Sequence, residues 1–354
     1  MPIDRIFPLT FINRAFIGLR RLSVSNSARM RTAPIRSPTK SHLFWFLFVC
    51  CVTSNAGCTS HEGTDSQTAD DQWSPTVASP EFPQGGGPLV LVDAAHGNFH
   101  TIDERYSAFA ELLELDGYRV ESANTEVTPK LLEQASVFVI ANAVYGGDEA
   151  EWTLPIPPAF TSVETGTIVD WVEKGGSLLL IADHMPFPGA TADLANKFGI
   201  VFLNGFAFKS VAEGGTLSFT RSSGSLADHA ITRGRSESEA IASVTSFTGQ
   251  AFRFVSPVQP LMYMPDDWVV LMPVEAWEFD ESTPTVSARG LIQGGTLRHG
   301  AGRVAVFGEA AMFTAQTSVR DGVVRQMGLN HPSATENAQF VLNVMHWLSG
   351  LLGD

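Results

Sequence analysis

Cysteine is absent from most of this 354-residue chain, because its three cysteines, Cys50, Cys51 and Cys58, all lie near the amino terminus. The segment after Cys58 therefore has no disulfide, no thiol nucleophile and no thiolate ligand for a metal ion. Cysteine-dependent catalysis and zinc sites built from cysteines are both excluded for that segment.

Basic residues are scarce in the same segment. The first 58 residues hold eight of the 23 lysines and arginines but one of the 37 acids, which leaves a net charge of about −21 on the remainder. A surface that acidic repels phosphate backbones, so we expect no nucleic-acid partner.

A short apolar run, LFWFLFVCCV, occupies residues 43–52. A bilayer span takes about 20 residues, so this run is too short to cross a membrane. Four basic residues precede it within residues 29–40, and small residues follow it. This order is typical of a secretory signal. Met30 makes a more ordinary start than Met1, and we interpret residues 1–58 as the signal segment.

The apolar run leads into the sequence SNAGC, which resembles the lipobox of bacterial lipoproteins. That resemblance implies that Cys58 is lipidated and becomes the mature amino terminus, which would attach the protein to a membrane. Ala56 and Gly57 fit the pattern, whereas Asn55 replaces the usual aliphatic residue. Ordinary cleavage after Ala56, with Ser54 upstream, is the alternative. We expect an exported lipoprotein of the cell envelope, the alternative being a soluble secreted or periplasmic protein.

Residues 59–87 are polar, acidic and rich in proline and glycine, which predicts a disordered tether. From residue 88 to residue 354, apolar strand-like runs alternate with amphipathic helical patterns. Two capping boxes, Thr101 with Glu104 and Thr161 with Glu164, predict helix starts. This alternation predicts an α/β domain with a mostly parallel sheet and helices on both faces. The segment from about 201 to 298 is less regular and predicts a β-rich insertion.

Polar side chains follow four of the predicted strands, where ligands of open α/β sheets bind. In chain order they are Asp93, His96, Asn98 and His100, then Asn142, then Asp183 and His184, and finally Glu309 with Gln316 further on. Each of them has an ordinary structural alternative, such as capping a turn or a helix. Their repetition at one edge of the sheet nevertheless predicts a shared polar pocket.

The residue types suggest roles within that pocket. We expect His96, Asp183, His184 and Glu309 to serve acid–base chemistry, because imidazole transfers protons near neutral pH. Asp93, Asn98, His100, Asn142 and Gln316 are the expected ligand-binding residues. Asp93, His96 and His100 are also candidate ligands for a divalent metal such as zinc, although their spacing matches no established metal motif.

Several stretches resemble a family of uncharacterised bacterial proteins with a class I glutamine amidotransferase-like fold. They are HGNFHTIDERYSAFAELLELDGY, VDWVEKGGSLLLIADHMPFPGA, HAITRGR and GEAAMFTAQ, and the resemblance runs from about residue 88 to the end of the chain. It implies a flavodoxin-like α/β domain. The wider superfamily uses a cysteine–histidine–glutamate triad, but this chain has Asp183 and His184 at the turn where the cysteine would be needed. Glutaminase activity is therefore not expected.

Two functions fit the sequence. One is hydrolysis of a small polar or carbohydrate substrate in the envelope, with or without a metal ion. The other is a non-catalytic ligand-binding or scaffold module that uses the same pocket. The sequence does not establish that the protein is an enzyme.

Lipidation of Cys58 is directly testable. The wild-type chain should incorporate a radiolabelled fatty acid and enter the detergent phase on phase separation, and Cys58→Ala should abolish both. Labelling that persists in Cys58→Ala, or that never occurs in the wild type, would favour cleavage after Ala56.

Overall fold

Seventeen strands and seven helices make up the part of the chain that the computed structural model describes, which is residues 66–147, 150–210, 214–255, 257–320 and 322–353. The strands are β1 (Ser66–Ala69), β2 (Leu89–Asp93), β3 (Arg119–Ala123), β4 (Val137–Ala141), β5 (Ser177–Ile181), β6 (Ile200–Phe202), β7 (Phe206–Phe208), β8 (Leu217–Thr220), β9 (Ser243–Ser246), β10 (Phe252–Phe254), β11 (Gln259–Tyr263), β12 (Val269–Leu271), β13 (Thr285–Ser287), β14 (Ile292–His299), β15 (Gly302–Phe307), β16 (Ala315–Arg320) and β17 (Val323–Gly328). The helices are α1 (Ser107–Leu115), α2 (Pro129–Leu132), α3 (Ser162–Glu173), α4 (Phe187–Ala190), α5 (Ala192–Lys197), α6 (Ala230–Arg233) and α7 (Asn337–Leu348).

The central sheet contains nine strands, in the order β3-β2-β4-β5-β15-β14-β10-β6, with β11 also paired to β14. The first five run parallel to one another. Numbered among themselves, these five follow the 2-1-3-4-5 order of flavodoxin-like sheets. The other four are joined by antiparallel pairings. The expected mixed α/β architecture is confirmed, but the sheet is parallel only in this five-strand part.

Alternate residues of the parallel strands face two separate apolar cores. Val90, Val139 and Leu179 pack on the side of α1 and α7. Leu91 and Ile140 pack on the opposite side, where α2, α3 and α5 lie. Burial on both faces explains why these strands are apolar at nearly every position.

Three smaller antiparallel sheets accompany the central one among the described residues. They are β1-β16-β17, β13-β12-β7 and β8-β9. The segment 201–298 supplies most of these strands, together with the short helix α6 and a 3₁₀ turn at Glu237–Glu239. In the same segment, β10, β11 and β14 extend the central sheet beyond β15.

Helix starts agree with the sequence at one capping box and not at the other. Thr161 caps α3, and both hydrogen bonds of its capping box with Glu164 are present. The Thr101–Glu104 box is not formed, because residues 101–106 make turns and α1 begins at Ser107 without a side-chain cap.

The predicted disordered tether is wrong for residues 66–87. Strand β1 pairs with β16 over its whole length. Phe82 packs edge-on against Tyr118, with ring centroids 5.1 Å apart. The backbone N–H of Glu81 donates to Asp116 Oδ1 at 2.9 Å, and Asp116 Oδ2 lies 2.7 Å from His346 Nε2. The polar composition of this segment indicated disorder. A few side chains and one strand nevertheless fix it to the rest of the domain.

The signal segment, Met30, Cys58 and residues 59–65 lie outside the described residues. Among the helices that the structure does describe, none has both the length and the apolar character that crossing a membrane requires.

Candidate functional site

From β2 the chain continues to β3 on one side of it and then to β4 on its other side, so the strand order reverses between β2 and β4. The loops that follow these two strands meet at this point. The backbone N–H of Phe99 donates to the Asn142 carbonyl at 3.0 Å, and Val144 N–H donates to the His96 carbonyl at 2.9 Å. Such a switch point is the usual ligand-binding position of an open α/β sheet. Here the two loops are joined directly by backbone hydrogen bonds.

A cavity of about 370 Å³ lies beside this junction. Its lining residues come from the loops after β2 and β4 and are Gly97, Phe99, Val144, Gly147, Ala150 and Trp152. The volume suits a small ligand, and the lining includes two aromatic rings, Phe99 and Trp152. Phe99 and Trp152 meet edge to face, with centroids 5.9 Å apart.

Two glycines allow the loops to approach so closely. Gly97 and Gly147 both have left-handed backbones, with φ of 59° and 57°. A Cβ on Gly97 would lie 2.4 Å from the Val144 carbonyl oxygen, whereas one on Gly147 would meet nothing closer than 3.5 Å. Gly97 is therefore required by space as well as by conformation.

The imidazole of His96 lies between two carboxylates, and we call Asp93, His96 and Glu164 the histidine–carboxylate group. His96 Nδ1 is 2.8 Å from Asp93 Oδ1, and His96 Nε2 is 2.9 Å from Glu164 Oε1. All three side chains are buried, and the His96 ring packs on Phe160 at 4.1 Å. A neutral imidazole has one N–H, so donating to both carboxylates requires the imidazolium form.

The electrostatics of this group agree with that assignment. Burial by itself would lower the pKa of His96, but the hydrogen bonds and negative charges of Asp93 and Glu164 outweigh it and raise that pKa above its ordinary value. Burial would likewise raise the pKa of Glu164. Its hydrogen bonds, from the Thr161 backbone and hydroxyl, from His96 and from the Val127 backbone, instead lower that pKa to about 2.

Glu164 was not among the predicted site residues. Its sequence signal, the fourth position of a capping box, was already explained by the helix start it forms. The same carboxylate accepts from Thr161 and, through Oε1, from both His96 and the backbone N–H of Val127. It thereby joins α3, the loop after β2 and the loop after β3.

A second buried group links the ends of β4, β5 and β15. The Asn142 side chain donates to His100 Nδ1 at 3.0 Å and accepts the Asp183 N–H at 2.9 Å. Asp183 Oδ2 accepts the Ala310 N–H at 3.3 Å. The adjacent Glu309 accepts the N–H groups of two following residues, at 2.7 and 2.8 Å, and so caps the 3₁₀ turn Ala311–Phe313.

Burial dominates the ionisation of this second group. It raises the pKa of Glu309 well above the ordinary glutamate value, and the negative charge of nearby Asp183 adds to the rise. Burial also lowers the pKa of His100 well below its usual range, with the positive charges of Arg105 and His184 contributing. Glu309 therefore stays protonated, and His100 neutral, over a wider pH range than the free side chains.

The expected single pocket is thus divided. Asp93 and His96 pair with Glu164, while His100, Asn142, Asp183 and Glu309 form the second group. Three further residues with predicted roles lie elsewhere or have structural contacts, and they are His184, Asn98 and Gln316.

The ring of His184 packs into an aromatic cluster, while its backbone N–H donates to Asp183 Oδ1 of the second group at 2.7 Å. Its ring stacks on Phe206 with centroids 4.6 Å apart, and its Nδ1 donates to the Met185 carbonyl at 2.8 Å. Asn98 is also structural, since it accepts the His96 N–H and donates to the Ala141 carbonyl.

Gln316 does not belong to the site. It lies in β16, where its amide donates to Thr314 and accepts from Gln67, both at 2.7 Å. Gln316 was predicted to be a site residue because it follows β15 in the sequence. The 3₁₀ turn between them instead leads the chain into the small sheet that contains β16.

The predicted metal ligands are not assembled either. No three histidine, cysteine, aspartate or glutamate side chains within the described ranges are grouped so as to hold a metal ion. Both ring nitrogens of His96 are occupied by carboxylates, and His100 is turned to Asn142 instead. His96 follows Asp93 by three residues and His100 follows His96 by four, which would place them on one face of a helix. Residues 94–100 form a loop instead, so the three side chains do not share a face.

A scan of protein-family models and a search of curated proteins give no match. Solved structures give matches at low sequence identity. The mmIFT52 N-terminal domain superposes with a TM-score of 0.51 at 15% identity, covering 75% of this chain and 98% of that one. A ThuA-like protein from Bacteroides uniformis gives 0.42 at 11% identity, covering 78% and 94%. The cytoplasmic protein STM1381 from Salmonella typhimurium gives 0.42 at 13% identity, covering 73% and 98%. The first of these shows a shared fold.

The histidine–carboxylate group predicts a specific pH dependence of stability. Because the pKa of His96 is raised, its protonation stabilises the folded state. This stabilisation is complete below about pH 6.5 and is lost as pH rises through the pKa of His96 in the folded protein. Because the pKa of Glu164 is lowered, its ionisation also stabilises the folded state. This stabilisation is present above about pH 4.3 and is lost as pH falls toward 2.

Substituting His96→Gln should therefore reduce the free energy of unfolding by about 3–5 kcal/mol at pH 6, because two buried carboxylates then face each other without a cation. The loss should shrink as pH rises above the folded-state pKa of His96. His299→Gln, at a half-buried position whose ring meets Phe198 edge-on, is the control and should cost no more than about 1.5 kcal/mol. Urea unfolding across this pH range measures both. A His96→Gln loss that does not vary with pH would argue against the imidazolium assignment.

The two loop glycines form a matched pair for mutation. Gly97→Ala and Gly147→Ala impose similar left-handed backbone strain, so their difference reports the clash of a Cβ at Gly97 with the Val144 carbonyl and the Gly147 backbone. We expect Gly97→Ala to destabilise the protein by at least about 1 kcal/mol more than Gly147→Ala, measured by thermal unfolding. Equal losses would mean that the loops are less tightly apposed.

Proposed function

We propose that the body of this protein binds a small polar ligand, such as a sugar, in the cavity beside the switch point. The observation that carries the proposal is the cavity itself, of about 370 Å³, at the position where open α/β sheets take their ligands. Phe99 and Trp152 offer apolar ring surface to the carbon skeleton of a sugar. The adjoining loop backbones offer hydrogen-bonding groups that fix orientation.

Binding is better supported than catalysis because the histidine on the loop that lines the cavity is paired with two carboxylates. His96, which a proton-transfer mechanism would use, is held between Asp93 and Glu164 at 2.8 and 2.9 Å. An imidazolium in that position cannot accept a proton from a substrate. It does fix the loop that carries Gly97 and Phe99, which is the role a binding site needs.

The proposal includes attachment to the cell envelope through Cys58. The support for it is the order of basic, apolar and small segments before that cysteine. A soluble exported protein remains the alternative outcome of the Cys58→Ala experiment.

We also propose that the domain belongs with the class I glutamine amidotransferase-like folds while lacking their glutaminase chemistry. The 2-1-3-4-5 order of the parallel strands supports the first part. The absence of any cysteine after Cys58 supports the second, since Asp183 and His184 follow β5. Glutamine should release no ammonia with this protein, and thiol-alkylating reagents should leave ligand binding unchanged.

Hydrolysis is a second candidate, favoured by one observation. Asp183 and Glu309 are buried carboxyl groups at the ends of neighbouring parallel strands, and burial and Asp183 hold the pKa of Glu309 well above its usual value. A carboxyl group kept protonated by burial next to a second carboxyl group is the arrangement of many general-acid sites. A divalent metal remains part of this candidate as a proposal, without an assembled ligand set among the described residues.

Filling the cavity should abolish binding without unfolding the protein. Saccharides screened by thermal shift should include one that stabilises the wild type, by about 2.7 kcal/mol at a concentration 100 times its dissociation constant. Ala150→Phe places a ring in the cavity and should remove that shift. Ala301→Phe, at an exposed turn before β15, makes the same change elsewhere and should keep it. A ligand shift that survives in Ala150→Phe would place the binding site elsewhere.

The hydrolase candidate is tested with chromogenic glycosides and esters, assayed with and without a chelator. Glu309→Gln keeps the shape of the side chain and removes its ionisable proton, so it should reduce any turnover by about 100-fold or more if Glu309 is the general acid. Asp116→Asn, at a buried carboxylate next to His346, is the control. Turnover that Glu309→Gln leaves intact would remove Glu309 from the mechanism, and the absence of turnover on every substrate would leave binding as the function.

A further inference from the structure

Strand β1 is the first element of the described residues after Cys58. Residues 59–65 lie between Cys58 and Ser66, the first residue of β1. A fully extended chain advances at most about 3.3–3.6 Å per residue, so Ser66 lies within about 30 Å of a lipidated Cys58. A membrane that holds Cys58 is therefore close to this end of β1.

The register of the small sheet places a hairpin at the same end. Ser66 is opposite Val319 of β16, and Val319 is opposite Val324 of β17. The turn between β16 and β17 follows immediately, because Val323 is paired with the last residue of β16. Ser66 and the tip of the β16–β17 hairpin therefore lie at the same end of the small sheet.

This hairpin tip is apolar and basic on an otherwise acidic body. Val323 and Val324 are 49% and 64% exposed. Arg325 is also exposed, and the hairpin sequence 315–328 carries two arginines against one acid. Exposed aliphatic side chains next to arginine are the composition of segments that lie in the interface of an anionic bilayer.

β1 is fixed to the body firmly enough to transmit an orientation. Asp70, next to β1, donates its N–H to the Ala315 carbonyl at 2.9 Å and accepts from the Asn330 amide at 2.8 Å. Gln67 accepts through its carbonyl from Arg105, which precedes α1 at the carboxyl edge of the central sheet. The small sheet therefore lies at that edge.

We propose that the β16–β17 hairpin tip, through Val323, Val324 and Arg325, inserts into the headgroup region of the phospholipid bilayer that carries the lipidated Cys58. The acyl anchor holds the tip at a high local concentration near the bilayer, so a small apolar contact suffices. The contact sets the orientation of the domain, with the carboxyl edge of the central sheet on the membrane side. This inference rests on the proposed attachment through Cys58.

The chain offers a clean test because its processed form has no cysteine other than Cys58. Val324→Cys introduces a single attachment point for a nitroxide spin label at the hairpin tip. Ala301→Cys is the matched control, exposed at the turn before β15 and therefore at the opposite, amino edge of the sheet. Both lipidated chains are placed in vesicles of equal parts phosphatidylcholine and phosphatidylglycerol.

Collision of the label with oxygen and with a water-soluble nickel complex is then measured by electron paramagnetic resonance. We expect nickel collisions at position 324 to fall several-fold when vesicles are present and oxygen collisions to rise, with no change at position 301. Introducing Val323→Asp beside the label should return position 324 to water.

The remaining outcomes separate the two proposals. If the chain carries no lipid, the attachment and the hairpin contact both fail. If a lipidated, vesicle-bound chain leaves position 324 as open to nickel as position 301, the hairpin contact alone is wrong. Spin–spin broadening at position 324 would show that a second copy of the chain pairs with β17 and would overturn the membrane contact.

Discussion

His96 is held between the carboxylates of Asp93 and Glu164, and the loop that carries it lines the candidate cavity. The interaction joins the end of β2 to the first turn of α3, two elements that are distant in sequence. Backbone hydrogen bonds from that loop to the loop after β4 then close the switch point. The cavity wall therefore depends on an imidazolium whose charge is compensated locally, a buried arrangement that is costly if any one partner is lost.

The ladder of buried strands was predictable because its cause is local. A strand covered on both faces is apolar at nearly every position. Composition alone therefore predicts the strands in PLVLVD, SVFVIA, SLLLIA and VAVFG. The carboxyl-edge position of Asp93, Asn142, Asp183 and Glu309 follows from the same strands. Residue spacing could not predict which contacts each side chain makes beyond the strand end, because these depend on the path of the loop.

Three differences between sequence and structure illustrate this limit. Glu164 belongs to the group around His96 because the first turn of α3 lies next to the loop after β2, which the sequence around Glu164 does not reveal. Gln316 is removed from the site by a 3₁₀ turn of three residues. Residues 66–87 have the composition of a disordered segment, yet pairing with β16 and the contact of Phe82 with Tyr118 fix them. Each outcome is decided by a tertiary contact whose second partner is remote in the chain.

The pairing of β5 with β15 joins strands separated by the whole β-rich insertion, with Ile181 opposite Phe307. Contacts of such long sequence separation incur a large loop-closure entropy before they are formed, and folding slows as they become more numerous. The parallel part of the sheet cannot be completed until residues 302–307 are available to pair with β5. Until that contact forms, the apolar strands β2, β4 and β5 lack a complete sheet and are prone to aggregation.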